Sequence, residues 1–484
     1  MEQIIAGIEW FNNQVLWGIP MILIILLSGI YLSIILRFLQ IKKLHFVFKS
    51  TIFSSFSRKN DAKGKTSITP FQAFATSLSG VIGTGNIVGV ATAIILGGPG
   101  AIFWMWITAV FGSMIKFSEI LLTCYYKKKT KDGKYIGGPM YYILYGLRNK
   151  PLAIIYAFFL IISSTFAGMV QADTIGKTIY FATNRAIPCT LTIVVVVILM
   201  CLVYFGGMKR LANFSSLIVP FMTIFFALIS LILIGLNINL LPNAVASIFS
   251  CAFNGQSLLG GVAGYGILKA MRYGFARGSF SNDAGLGMSA IPHAYSNTKE
   301  PVEESLWGVF ETFIDTIVVC TLTGLLILTS GIKINQNMSG AELAINAFTN
   351  RLGVFGLVSY CIILPIFAFT TSLTDGFYGI TCLDFIFKRK NKIIHAIFYF
   401  FFFGLMILIG LVDDLNIASF PTDFVWALQD MANGLLIIPN LIGILGMSIR
   451  VRKVTLNYFG RQNGLPLKED LTGFNKYHII KDKN

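Results

Sequence analysis

Charged residues are scarce in this chain of 484 residues. They make up 12% of the sequence, whereas a soluble globular domain carries about 25%. Hydrophobic residues reach 55%, and apolar runs of the length that a membrane helix needs recur along nearly the whole chain. The composition therefore argues against an ordinary soluble domain and predicts a protein that crosses the lipid bilayer many times.

Patterns for disulfides, metal ions and catalysis are also lacking. The four histidines are far apart, and no CxxC pair occurs. No nucleophile is paired with a base, and no cluster of histidines and carboxylates is present. We therefore expect neither an enzyme nor a cofactor, and we interpret the cysteines as small buried apolar side chains. They are Cys124, Cys189, Cys201, Cys251, Cys320, Cys361 and Cys382.

Acidic residues are outnumbered, with 22 Asp and Glu against 38 Lys and Arg. The basic residues lie between the apolar runs and form no basic face with interleaved aromatics, which argues against nucleic-acid binding. Their clusters alternate along the chain as a membrane-orientation signal does. They predict a multi-pass protein of the cell membrane (plasma or inner membrane), with the N-terminus outside and the C-terminus in the cytoplasm.

Eleven membrane spans are predicted, each about 20 residues or longer. They cover 15–39, 68–96, 99–126, 151–177, 187–206, 211–236, 258–292, 304–331, 353–387, 393–412 and 419–449. The resulting fold class is all-α. The predicted units are an extra N-terminal helix (1–40), a cytoplasmic basic loop (41–67), a first five-helix unit (68–236), an extracellular connection (237–257), a second five-helix unit (258–449) and a cytoplasmic tail (450–484).

Two of these spans are interrupted by glycine and small polar residues. The first interruption is Gly83-Thr84-Gly85-Asn86, and the second runs from Gly278 to Gly285 around Phe280-Ser281-Asn282. Unpaired backbone groups are costly in hydrocarbon, so broken helices persist only where they line a cavity or hold a ligand. The breaks are five spans apart. This odd number predicts an inverted repeat, and paired breaks of this kind are typical of secondary-transporter binding sites.

The first break offers two kinds of backbone group. Free N–H groups at the start of the second half-helix suit a carboxylate, and free carbonyl groups before the break suit a hard cation such as Na⁺. The alternative is that the glycines only permit close helix packing. Phe280-Ser281-Asn282 offers a ring, a hydroxyl and an amide beside free carbonyls, where a substrate ammonium group is expected to bind.

Polar side chains inside other spans allow two interpretations. Thr370 and Thr371 either complete a sodium shell that faces the first break or bond back to their own helix. Lys116 and Glu119 lie three apart on one helix face, which predicts a mutual pair. Arg277 is expected to form an internal ion pair or to reach the inner interface. Asp375 is an intramembrane acid and therefore a candidate functional residue.

Several motifs closely resemble the alanine/glycine:cation symporter family, and they run from the second span to the last. Residues 97–106, with Trp104 and Trp106, form the most specific of them. The others are Phe71-Gln72-Ala73, Gly83 to Ile87, Gly137 to Tyr142, Arg277-Gly278 with Ser281 to Gly285, Phe313 to Thr316, and Pro439-Asn440-Leu441.

The resemblance implies a leucine-transporter-like core of ten helices and sodium-driven uptake of small neutral amino acids, chiefly alanine and glycine. It also implies site residues. The substrate carboxylate would meet the Thr84 and Gly85 backbone, and the pocket would be lined by Asn86, Gln171, Phe280, Ser281, Asn282 and Thr371. A sodium ion would lie among the carbonyl groups of Ser79, Ile82 and Phe367 and the hydroxyl groups of Thr370 and Thr371.

The chain departs from the family pattern at several positions. The family usually has Glu in place of Asp283 and Asn in place of Asp173. It usually has an apolar run and a Trp after the paired threonines, where this chain has Ser372, Thr374, Asp375 and Gly376. Asp375 adds a negative charge near the expected pocket. An alternative with the same fold is therefore a carrier that is proton-coupled or takes a broader set of neutral amino acids.

Overall fold

The computed structural model describes residues 2–53, 68–130, 135–204, 206–253, 263–335, 337–387, 392–415 and 422–466. Within these residues the regular structure is helical, and turns and loops connect the helices. The β-structure among them is one antiparallel pair, β1 (Lys128–Lys129) with β2 (Tyr135–Ile136), and an isolated bridge between Ile68 and Ser296. The part of the predicted basic loop at 54–67, the connection at 254–257 and the tail at 467–484 lie outside the described residues.

Twenty α-helices follow one another along the described chain. They are α1 (Glu2–Phe11), α2 (Ile19–Ile35), α3 (Leu39–Lys42), α4 (Leu44–Phe48), α5 (Pro70–Val81), α6 (Val88–Gly97), α7 (Gly100–Tyr125), α8 (Pro139–Tyr145), α9 (Lys150–Ala182), α10 (Cys189–Tyr204), α11 (Gly207–Leu236), α12 (Leu241–Phe253), α13 (Ala263–Asn282), α14 (Ile291–Ala294), α15 (Pro301–Thr312), α16 (Thr321–Thr329), α17 (Gly340–Ile386), α18 (Lys392–Asp414), α19 (Thr422–Gly446) and α20 (Ser448–Gln462). A π-helical stretch, Phe313–Cys320, joins α15 to α16.

Each of the eleven predicted spans has a helical counterpart. Eight described helices are long and apolar enough to cross a membrane, and α5 with α6 adds a ninth that is bent by 63°. The tenth is α10, which is apolar but has only 16 residues. The eleventh is α13 together with the short helical turns after it. Lys269, Arg272 and Arg277 make α13 less apolar than the other spans. The chain is an all-helical polytopic membrane protein.

Helix α5 begins where the sequence provides a capping box. The Thr69 hydroxyl accepts the Gln72 backbone N–H at 3.2 Å, and the Gln72 side chain accepts the Thr69 N–H at 2.9 Å. Pro70 occupies the first turn, where its missing N–H costs nothing. The helix therefore starts at a defined residue, and twelve residues later it ends at the first break.

Helix α17 contains a sharp bend at Gly353, whose φ is +54° and ψ is −126°. A straight helix of its 47 residues would be about 70 Å long, more than twice the hydrocarbon thickness. The bend separates the N-terminal segment of α17, before Gly353, from the span that carries Thr371. Glycine at this position permits the left-handed backbone that the bend requires.

The predicted connection at 237–257 contains a regular helix, α12. Its Phe249 and Phe253 rings lie 5.9 and 4.8 Å from the ring of Phe103 on α7. A short 3₁₀ turn, Ile238–Leu240, directly precedes this helix. The helix forms because one face packs on the bundle while the other is exposed, a pattern that the 20-residue criterion for a span does not detect.

Helix α13 packs against α7 through two glycines, and this contact places the second break inside the bundle. A Cβ atom at Gly274 would lie 2.5 Å from the Ala101 carbonyl oxygen and 2.6 Å from Trp104 Cβ. A Cβ atom at Gly278 would lie 3.2 Å from Thr108 Cβ. Only residues without a Cβ allow the two backbones to approach so closely.

We predict that Gly274→Ala lowers the stability of the purified protein in detergent by about 1–3 kcal/mol, because overpacking must push α13 away from the α7 backbone. Thermal unfolding followed by size-exclusion chromatography measures the change. Gly404→Ala on α18 is the matched control, since nothing lies within 4 Å of its Cβ position. Equal melting temperatures for the two variants would contradict the close contact.

Candidate functional site

The first break is held open by Asn86. Helix α5 ends at Val81, and Thr84–Asn86 forms a single 3₁₀ turn before α6 begins. The Asn86 side-chain oxygen accepts the Gly83 N–H at 3.0 Å. This N–H would otherwise bond to the Ser79 carbonyl group in a continuing helix, so the side chain releases that carbonyl for another partner.

Thr371 on α17 lies where the freed carbonyl groups converge. Its hydroxyl oxygen is 3.0 Å from the Ser79 carbonyl oxygen, 3.1 Å from that of Ile82 and 3.0 Å from that of Phe367. A threonine hydroxyl has only one hydrogen to donate. At least two of these oxygen pairs therefore face each other without a hydrogen between them, and the cluster is electron-rich.

Thr370 contributes less directly to this cluster. Its hydroxyl donates to the same Phe367 carbonyl oxygen at 3.0 Å and lies 3.8 Å from the Met222 sulfur. The back-bonding expected from the sequence thus occurs at both threonines, and Thr371 adds contacts to α5. The predicted set of Ser79, Ile82, Phe367, Thr370 and Thr371 is brought together in one place.

The second break overlaps the predicted interval 278–285 only at 283–285, and this corrects the expectation for Phe280-Ser281-Asn282. These three residues form the last turn of α13. The irregular segment is Asp283–Gly287, in which Asp283, Gly285 and Gly287 have φ values of +56°, +97° and +78°. The helix ends there because Asn282 turns its side-chain oxygen back to accept the Ala284 N–H at 3.0 Å.

Side chains from three other helices satisfy the backbone of the second break. Lys116 of α7 donates to the Asn282 carbonyl oxygen at 2.7 Å, and Glu119 accepts the Gly285 N–H at 3.0 Å. Asn440 of α19 donates to the Gly285 carbonyl oxygen at 2.7 Å and to Glu119 at 2.6 Å. Tyr156 of α9 donates to the Leu286 carbonyl oxygen at 2.8 Å.

Lys116 and Glu119 do not pair with each other, so that expectation is wrong. Lys116 forms a fully buried ion pair with Glu311 of α15 at 2.8 Å, and Glu119 bonds to Gly285 and Asn440. Spacing on one helix face permits a pair but does not compel it. Inside a bundle the broken backbone of a neighbouring helix offers stronger partners, because its groups have no other way to be satisfied.

A small cavity of about 30 Å³ lies between the two breaks. This volume holds about one or two water molecules, so a larger ligand requires the walls to move apart. The predicted residues that line it are Gly85, Gln171, Phe280 and Thr371. The remaining lining residues are Gly80, Val81, Gly83, Ala167, Asp283, Met288, Asp375, Gln429 and Asn433.

Asn86, Ser281 and Asn282 lie behind the cavity wall in this conformation. The Asn86 amide donates to Asp315 at 2.5 Å and to the Ser281 hydroxyl at 3.0 Å. Ser281 donates to the second Asp315 oxygen at 2.9 Å. Asn86 and Ser281 thus join the first break to the end of α13, and the Asn282 amide donates to the Thr316 hydroxyl at 3.3 Å. The predicted contact of these three residues with substrate stays a prediction. Thr84 donates its N–H to Gln171 over 3.4 Å, and its buried hydroxyl has no partner among the described residues.

Glycine is required where the first break meets α13 and α17. A Cβ atom on Gly85 would lie 3.0 Å from two carbons of the Phe280 ring, and one on Gly83 would lie 2.7 Å from the Thr371 hydroxyl oxygen. Both positions bring a neighbouring side chain against bare backbone. The glycines of the first break therefore serve close approach as well as chain direction.

Phe280 lines this cavity, and a second cavity of about 40 Å³ lies on the far side of Arg277, whose guanidinium group is close to the Phe280 ring. Arg277 lines the second cavity, places its guanidinium group 5.7 Å from the Phe280 ring centre and lies 3.4 Å from Asp430. The Trp426 ring lies 6.3 Å from the Phe280 ring. The internal ion pair expected for Arg277 is present.

Sequence reasoning missed Gln429 and Asn433, which line the cavity from α19. A signal for them exists. Gln429, Asn433 and Asn440 are spaced by four and seven residues, which places all three on one face of this membrane helix. A polar stripe on a membrane helix points into the bundle rather than at lipid.

The fold and this site together define a class. The chain is structurally similar to the crystal structure of MhsT in complex with L-phenylalanine, with a TM-score of 0.57 over 81% of this chain and 99% of that one, at 11% sequence identity. The identity is too low to say more than fold. The protein is a polytopic membrane protein with a leucine-transporter-like fold.

The sequence comparisons are more specific. The model of the sodium:alanine symporter family matches residues 1–469. The sodium/alanine symporter AgcS of Methanococcus maripaludis is 37% identical over 444 residues, 90% of this chain and 93% of that protein. The probable sodium/glutamine symporter GlnT of Bacillus subtilis is 34% identical over 453 residues, 93% and 89% of the two chains. The chain belongs to the sodium:alanine symporter family, a family of sodium-coupled amino-acid symporters, and is a transporter rather than an enzyme.

We predict that Asn440→Ala destabilises the folded protein by about 1–3 kcal/mol, because it leaves the buried Gly285 carbonyl group unpaired and removes one of the two donors to Glu119. Thermal unfolding in detergent measures the loss. The control is Asn213→Ala, which removes a hydrogen bond to Gln72 in a solvent-exposed setting. A loss no larger than that of the control would show that Asn440 does not support the second break.

Proposed function

We propose that the protein carries alanine, glycine and similar small neutral amino acids into the cell together with sodium, by alternating access. The observation that carries this proposal is the convergence of the Ser79, Ile82 and Phe367 carbonyl oxygens on the Thr371 hydroxyl. Oxygen atoms crowded around one hydrogen are the kind of ligand set that a hard monovalent cation prefers. The site joins α17 to α5, so a cation bound there holds the two helices together.

The substrate is proposed to bind next to this cation. The backbone N–H of Gly85 has no hydrogen-bond partner among the described residues, and it lies at the N-terminal end of a half-helix beside the cavity. Such an end favours a carboxylate. Gln171, Phe280 and Thr371 complete the wall around it, which agrees with the residues that the family resemblance implies.

Alternating access requires a barrier on each side of the cavity in turn. Phe280, Arg277, Asp430 and Trp426 form one barrier, between the substrate cavity and the second cavity. With the N-terminus outside, as the basic residues predict, this barrier faces the exterior. We propose that the second cavity is the outer vestibule and that Phe280 moves when the outer path opens.

The direct test is uptake of radiolabelled alanine by proteoliposomes that contain the full chain. We expect uptake to need an inward sodium gradient and to stop when choline replaces sodium. Thr371→Val keeps the shape of the side chain and removes the hydroxyl, so the sodium concentration for half-maximal uptake should rise about tenfold or more, which corresponds to roughly 1.4 kcal/mol.

The matched control for this test is Thr381→Val on the same helix. Thr381 is also buried, and its hydroxyl bonds to Phe377 of its own helix. It should leave the sodium dependence unchanged. Uptake that persists in choline would refute sodium coupling. An identical sodium dependence for Thr371→Val and wild type would remove Thr371 from the cation site.

We further predict that Gly83→Ala weakens sodium binding about tenfold or more, because the new methyl group would lie 2.7 Å from the Thr371 hydroxyl oxygen. Gly89→Ala in the same broken helix is the control. Its Cβ would be 3.9 Å from Arg277 Cδ, an ordinary contact. Calorimetric titration of sodium into both variants shows whether the loss of sodium affinity is specific to the methyl group at position 83. Similar affinities would show that the hydroxyl is not a ligand.

A second candidate keeps the fold and the sodium site but widens the substrate range. The name of GlnT assigns glutamine to a relative that covers most of this chain. A panel of unlabelled amino acids in competition with alanine uptake distinguishes the two candidates. Strong competition by glutamine and weak competition by glycine would favour the wider range.

A further inference from the structure

Two carboxylates in the substrate cavity have no protein partner. Asp283 lies in the second break, and Asp375 lies on α17; their side chains are 4% and 2% exposed. The Oδ2 atom of each is buried without a hydrogen bond to any described residue, and both line the cavity. A buried charge without a partner costs several kcal/mol, so each carboxylate is kept neutral by a proton or is paired with a cationic group that enters the cavity.

Other buried acids nearby have protein donors, which sets this pair apart. Glu311 holds Lys116, and Asp315 accepts from Asn86, Ser281 and Thr316. The Oε1 atom of Glu119 accepts from Gly285 and Asn440, while its Oε2 atom has no partner among the described residues. Lys116, which also donates to the Asn282 carbonyl oxygen, is therefore already engaged and does not pair with either cavity carboxylate.

A third group points to the same kind of ligand. The side-chain oxygen of Gln429, on α19, is buried without a partner and lines the same cavity; the residue is 3% exposed. It is an acceptor, as are the two carboxylate oxygens. Three acceptors from three separate elements thus face one small space, and a ligand that satisfies them must bring N–H donors and positive charge.

The formal charges of the site show which substrates can take the place of protons on these carboxylates. Asp283 and Asp375 bring two negative charges when both are ionised. One sodium ion with a neutral amino acid supplies a single positive charge, so one carboxylate keeps a proton. One sodium ion with an amino acid that has a cationic side chain supplies two, and the cavity is neutral with both carboxylates ionised.

From this balance we infer that the cavity also accepts amino acids with a short, positively charged side chain, and that Asp375 selects them. The inference rests on the proposed function and extends its substrate class. Asp375 follows Thr371 by four residues, about 6 Å along the helix. A substrate with its carboxylate at the first break would direct its side-chain ammonium group toward Asp375 and Gln429.

The test compares two substrates of the same shape, 2,4-diaminobutyrate and norvaline, which differ in an ammonium group in place of a methyl group. Each competes with radiolabelled alanine for sodium-driven uptake, and calorimetric titration in sodium measures their binding directly. We expect 2,4-diaminobutyrate to bind at least tenfold more tightly than norvaline. Asp375→Asn should weaken 2,4-diaminobutyrate at least tenfold and change norvaline less than threefold.

Asp384→Asn is the matched control, because it makes the same change on the same helix at a residue that pairs with His395 outside the cavity. Asp375→Glu should recover part of the preference. If norvaline binds as well as 2,4-diaminobutyrate, or if Asp375→Asn affects both equally, the inference is overturned while sodium-driven alanine uptake still supports the proposed function. If alanine uptake does not need sodium, the proposed function fails, and the calorimetric preference alone decides the inference.

Discussion

The need to satisfy backbone groups inside the membrane governs this structure. Two helices stop and restart within the bundle, and each interruption leaves amide and carbonyl groups that lipid cannot bind. The fold answers with side chains from distant parts of the chain. Asn86 serves the first break from within, whereas Lys116, Glu119, Tyr156 and Asn440 serve the second from three other helices. The carbonyl groups at Thr371 are the ones that remain for a cation.

The two breaks differ in how fully the protein satisfies them. The second is held by a network of charged and amide side chains, and it behaves as a scaffold. The first retains an N–H group and a set of crowded carbonyl oxygens without full protein partners, and it faces the cavity. The second break therefore forms a wall of the cavity whose hydrogen bonds are made within the protein, whereas the first break leaves polar groups for a ligand. Ligands that enter the cavity complete hydrogen bonds and charge pairs that the protein alone leaves incomplete.

The buried acids differ in the same way as the two breaks, in how many protein donors they have. Acids that hold the scaffold together have two or more donors, as Asp315 does, whereas Asp283 and Asp375 have none among the described residues. Burial makes each unpaired carboxylate costly. In the proposed carrier, the binding of a cationic group relieves this cost.

Much of the architecture follows from local features of the sequence. The spans could be predicted from apolar length, and the first break from Gly83 and Gly85. The gathering of Ser79, Ile82, Phe367, Thr370 and Thr371 was expected only from the family resemblance. Other features were beyond local reasoning. The second break lies at Asp283–Gly287 because Asn282 caps the helix, and Lys116 pairs with Glu311 rather than Glu119 because of where α15 packs.

The sequence by itself therefore determined which segments enter the membrane and where a helix is free to stop, since glycine content and hydropathy act within a few residues of chain. Tertiary structure alone decided which side chain reaches which break, and which acids remain unpaired. Those outcomes depend on helices that are hundreds of residues apart in the chain and adjacent in space. A hydrogen bond forms only over about 3 Å, so its partner is settled by packing.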